Sequence, residues 1–88
     1  MKEINLNFFF KGLDGKDIKE NAGLFIAKAL STSASKNPVK FWAWANEFHS
    51  GQTVKMDADD IKLLADFVKD HEVITVLAKA QILEVLNK

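Results

Sequence analysis

Ile4-Asn5-Leu6-Asn7-Phe8-Phe9-Phe10 decides the fold class, because apolar side chains at 4, 6, 8 and 10 alternate with asparagines at 5 and 7. Successive side chains of an extended chain point to opposite faces, so a period of two marks a half-buried strand. Phe9 stands on the otherwise polar face, either covered by a later element or left as an exposed contact residue. Asp14-Gly15 supplies the positive backbone angles of a tight hairpin turn, and Gly12 allows a bulge just before it. A return strand over 16–19 would pair back with Ile18 toward the core. Residues 53–56 form a third strand that could pair with the first across the sheet.

Helical periods fill the rest. Asn21 is suited to cap a first helix over 22–31, with Phe25, Ile26, Ala29 and Leu30 on its buried side. The small polar run 31–37 reads as a loop, at whose end Asn37 can cap a second helix and Pro38 fits its first turn. That helix, 38–49, carries Phe41, Trp44, Ala45 and Phe48 at helical spacing, and Gly51 closes it. Asp57 caps a third helix over 58–70, with Asp59 and Asp60 in the first turn, where the helix dipole favours negative charge. Its buried stripe is Ile61, Leu64, Ala65 and Val68, with Phe67 beside it.

The final stretch, 73–86, is apolar in nearly every direction around a helix. A helix packed on one face of a small domain shows a stripe, whereas one apolar nearly all round is central to the core or buried by another chain. Ile74, Leu77, Ile82, Leu83 and Leu86 are therefore candidate contact residues for a second copy or another protein. Together these elements predict one α+β domain over 1–88: a small antiparallel sheet packed by about four helices.

Composition narrows the function. Twelve Lys and no Arg balance twelve Asp plus Glu, giving a formal net charge of zero. Nucleic-acid binders concentrate positive charge and use arginine for bidentate contacts, so dedicated nucleic-acid binding is disfavoured. The competing regulator reading requires Lys36, Lys40, Lys55, Lys62 and Lys69 to gather in space. The chain has no cysteine, so a disulfide scaffold is excluded and a reducing cytoplasm is permitted. The start Met1-Lys2-Glu3 has no apolar signal region behind it. The chain reads as soluble and cytoplasmic, with no membrane involvement.

Catalytic and metal chemistry lacks its usual patterns. His49 and His71 lie far apart with no thiolate available, and Asp57, Asp59 and Asp60 lack the glycine and distal glutamate of a calcium loop. Serines and threonines at 31, 32, 33, 35 and 50 have no nucleophile-elbow context or evident base. Gly12-Leu13-Asp14-Gly15-Lys16 has neither phosphate-binding spacing. No catalytic residue, cofactor, metal or small-molecule substrate is assigned. Within the aromatic run 41–48, Trp42 lies off the buried stripe. Tryptophan is enriched at binding hot spots, which makes Trp42 a candidate partner anchor alongside Phe9.

The strand ending in Phe10-Lys11-Gly12-Leu13-Asp14-Gly15-Lys16, the Lys40-Phe41-Trp42-Ala43-Trp44-Ala45 helix and the final Leu77-Ala78-Lys79-Ala80-Gln81-Ile82-Leu83-Glu84 together resemble short uncharacterised proteins of tailed phages and prophages. The resemblance implies a small virion-assembly, tail-associated or host-interaction protein and carries over no site residue. The expected function is thus non-enzymatic protein interaction or assembly, as a homo-oligomer or with another phage or host protein. A small transcriptional or nucleic-acid-binding regulator is the alternative.

Overall fold

The structure, a computed structural model, describes residues 1–33, 35–72 and 74–88. Four strands and four helices follow in the order β1 (Lys2–Ile4), β2 (Phe9–Lys11), β3 (Asp17–Asn21), α1 (Ala22–Thr32), α2 (Pro38–His49), β4 (Val54–Met56), α3 (Ala58–Asp70) and α4 (Val76–Leu86). This is an α+β fold with a small antiparallel strand set packed by four helices. The strands form two separate ladders: β1 pairs β4, with Lys2 opposite Met56 and Ile4 opposite Val54, and β2 pairs β3.

The alternating run is therefore divided between two ladders, and its asparagines are the reason. Asn5 Oδ1 accepts the Asn7 backbone N–H at 2.8 Å, and the Phe8 N–H turns back to the Leu6 carbonyl at 2.8 Å. Asparagine side chains compete with strand ladders in this way, and the two-residue bond is the closure of a γ-turn. The same side chains then act as joints. Asn5 Nδ2 donates to Thr53 Oγ1 beside β4, and Asn21 Nδ2 donates to Asn7 Oδ1 at the start of α1. Inward-facing alternation survives the bend: Ile4, Leu6 and Phe10 are buried and Phe8 is half-buried.

The β2–β3 hairpin turns where expected, with Gly15 at φ +79° and Lys16 N–H donating to Asp14 Oδ1. Its return strand lies at 17–21, slightly later than expected. Ile18 is 38 % exposed and does not face the core, and Phe9 is 50 % exposed and uncovered. The correction at Ile18 and the exposure of Phe9 share a setting: β3 pairs as a strand only with β2, in a two-stranded ribbon most of whose β3 side chains face solvent.

Caps explain the helix starts. Asn21, Asp57 and Thr75 each accept a backbone N–H three residues on, from Leu24, Asp60 and Ala78. Asn37 departs from expectation. It occupies the N-cap of α2 with Pro38 behind it, but its side chain makes no capping bond, and its own N–H donates to Ser35 Oγ. At the other end, Gly51 adopts φ +74° and donates to the Phe48 carbonyl.

One contiguous core joins all the layers. It includes Phe10, Ile26, Phe41, Phe48, Met56, Leu64 and Val68, and no polar side chain is buried among the described residues. A Cα radius of gyration of 12.2 Å matches the about 12 Å expected for a folded chain of this length. α4 belongs to that core. Ile74, Ala78, Ile82 and Leu86 recur every fourth residue and are all buried, forming the stripe that the surrounding leucines and valines concealed in the sequence. Leu77, Leu83 and Val85 flank it half-buried, and Val76 is exposed. The expectation at Val73 lies outside the described residues.

Two contacts lock α4 in place. Gln81 Oε1 accepts the Lys11 N–H at 2.9 Å while Gln81 Nε2 donates to the Lys11 carbonyl at 2.7 Å, so one side chain does for β2 what a neighbouring strand would. Lys2 Nζ donates to the Leu86 carbonyl at the helix C-terminus, where a cation also complements the dipole.

Candidate interaction surface

The surface begins with the helical hairpin of α1 and α2, which pack on each other and whose buried residues include Ile26, Ala27 and Leu30 on one helix and Phe41, Ala45 and Phe48 on the other. On α2, residues 41, 44, 45 and 48 fill the inward arc, which leaves position 42 pointing outward. Trp42 is accordingly 61 % exposed, whereas Trp44 is 6 % exposed and stacks on Phe41 at 5.6 Å. The Trp42 carbonyl accepts Asn46 Nδ2 one turn later at 3.0 Å.

Two shallow hollows flank the Trp42 ring. The first, about 500 Å³, lies between the helices and is lined by Leu24, Ala27, Lys28, Ser31, Ala45, Asn46 and His49 as well as Trp42. The second, about 430 Å³, lies against Leu30, Pro38, Val39, Phe41 and three serines, Ser31, Ser33 and Ser35. Exposed Leu24 and Val39 extend the apolar surface to either side of Trp42. Exposed apolar groups gathered on one face, with polar residues between them, mark interaction sites in soluble proteins.

The predicted contact residues thus separate into three groups. Trp42 centres the face, and Phe9 is exposed on the β2–β3 ribbon but lines neither hollow. Ile74, Ile82 and Leu86 are 5 %, 0 % and 1 % exposed, so this chain's own core takes them up, and Leu77 and Leu83 pack half-buried against it. Sequence reasoning missed Leu24 and Val39. Both carry the signal that marked Trp42, a large apolar side chain outside the buried arc of its helix.

The other chemistries can be placed as well. Lys36, Lys40 and Lys55 line one hollow along the outer edge of α2, but Glu47 lines it too, and Lys40 Nζ sits 2.7 Å from Asp60. The Asp60 hydrogen bond holds the Lys40 ammonium above the ordinary lysine value. Lys62 and Lys69 do not line that hollow, and the Lys69 carbonyl instead accepts Lys79 Nζ on α4. Ser33 Oγ lies 3.2 Å from His71 Nε2, whose ring meets Phe67 edge-on. This pair links the end of α1 to the end of α3. Among the described residues no three His, Asp or Glu side chains converge on a metal-sized site, and no helix is long and apolar enough to cross a membrane.

Comparison with protein-family models, curated proteins and solved structures returns no match for the chain.

Proposed function

We propose that this chain is a non-enzymatic interaction protein whose contact surface is the α1–α2 face centred on Trp42. One observation carries the reading: a helix that buries Phe41, Trp44 and Phe48 leaves its second tryptophan 61 % exposed between two apolar hollows. An indole in that position has a rigid, amphipathic surface to offer a partner and little to contribute to this chain's own core. The virion-assembly or host-interaction setting implied by the resemblance to phage proteins is one in which such a small module would act.

Trp42→Ser is expected to change folding stability by less than about 1 kcal/mol, because the ring is mostly in solvent. Its effect should fall on binding. A photo-crosslinking side chain placed at position 42 in the cell that makes the protein is expected to trap a discrete product. The same group at position 76, on the exposed side of α4, is expected to trap none. A product at 76 with none at 42 would move the contact surface to α4 and end this reading.

A further inference from the structure

The α1–α2 face has a charge character that identifies the chemistry of its occupant. Three hollows run along it, two beside Trp42 and a third of about 230 Å³ at the Leu24 and Gly51 end, and not one of their lining residues is an aspartate or glutamate. The chain nonetheless carries twelve such residues. Two hollows elsewhere differ, with Glu47 in one along the outer edge of α2 and Asp57 in one at the end of β4. Lys28 is the lysine of the face and His49 its other titratable side chain. Lys28 is exposed and, like most of the chain's twelve lysines, is in no ion pair with a carboxylate of the described residues.

We infer that this face binds an amphipathic helix of another protein, one that presents apolar side chains toward Trp42 and carboxylates toward Lys28. The inference rests on the reading of the α1–α2 face as the contact surface and adds the class of partner. Apolar residues three and four apart on a docked helix enter the hollows on either side of the indole, the usual helix-in-groove arrangement. Glutamates flanking that apolar stripe supply the charge this surface lacks. Complementary potentials both speed encounter and reject partners of the wrong sign. A second copy docked through the same face fits poorly, because a two-fold contact sets Lys28 against a surface that again has no carboxylate.

Two fluorescein-labelled synthetic peptides test this against the full chain. Both are helical with leucine at every third or fourth position; one carries glutamates on the flanks and its twin carries lysines at the same places. Fluorescence anisotropy is expected to show the glutamate peptide binding at least tenfold tighter, with the preference shrinking as salt is raised. Lys28→Glu should remove or invert the preference, and Trp42→Ser should weaken binding of both peptides. Lys28 is exposed, so its replacement leaves the core untouched.

Equal binding of the two peptides, binding of neither, or a preference that persists in Lys28→Glu would overturn the acidic-helix assignment. Crosslinking at position 42 reads the interaction surface independently. A crosslink there without a charge preference in the peptides would remove this inference alone. A dimer in solution that Trp42→Ser dissolves would give the face to a second copy and overturn the inference as well.

Discussion

Ile82→Asp is expected to abolish cooperative folding, leaving a chain with no sharp thermal transition by circular dichroism. Ile82 is fully buried in the core stripe of α4, between Ala78 and Leu86. Its truncation to alanine alone would cost about 2–5 kcal/mol through lost burial and the cavity left behind. Aspartate adds an unpaired charge with no buried polar group nearby to receive it, since none is buried among the described residues. Total stabilities of about 0.05–0.15 kcal/mol per residue leave a chain of 88 residues no reserve against both effects. If α4 were an intermolecular surface, the same change would yield a folded monomer. Leu83→Asp, at a half-buried flank, should destabilise by a smaller amount and still fold.

Gly23→Ala is expected to destabilise the protein by about 1–3 kcal/mol, against the usual direction for that change in a helix. An added Cβ would stand 2.9 Å from the Phe48 carbonyl oxygen and 3.2 Å from the Leu6 carbonyl oxygen. Both are backbone atoms, so relief requires α1 to move away from the end of α2 and from the bend after β1. In a chain of this size each kcal/mol lowers the melting temperature by about 4–8 °C, well within the range of scanning calorimetry. A raised melting temperature would mean that these three segments are not in close contact. That contact also sets the spacing of the helical hairpin that carries Trp42.

Much of this architecture is legible in the sequence. The bounds of α2 and α3, the cap roles of Asn21 and Asp57 and the turn at Gly15 follow from local rules that the tertiary structure leaves intact. The readings that changed depend on distant partners. Alternation over 4–10 has the period of one strand, but only the position of Thr53 and Asn21 shows that the asparagines are joints between two ladders. Ile18 reads as a core residue, but β3 pairs only with β2 and leaves Ile18 38 % exposed.

The last helix shows the same limit in energetic form. Leu77, Leu83 and Val85 are apolar enough to hide the Ile74-Ala78-Ile82-Leu86 stripe, because a half-buried flank and a buried centre have the same composition. What distinguishes them is Gln81, whose clasp on the Lys11 backbone fixes the rotation of the helix and joins residues seventy positions apart. Trp42 was legible as a candidate because a single off-stripe tryptophan is a local signal. Its companions Leu24 and Val39 carry the same signal in less conspicuous residues. The absence of carboxylates from the hollows depends on side chains of α1 and α2 that are distant in sequence and that only the fold brings side by side.

The central claim is that α4 completes this chain's own core and leaves the Trp42 face for a different partner. Light scattering of the purified protein across a concentration series tests it most directly. The account predicts the mass of a single chain, 9.9 kDa, at every concentration. A dimer that Leu83→Asp converts into folded monomers would contradict it, because α4 would then be an interface between copies.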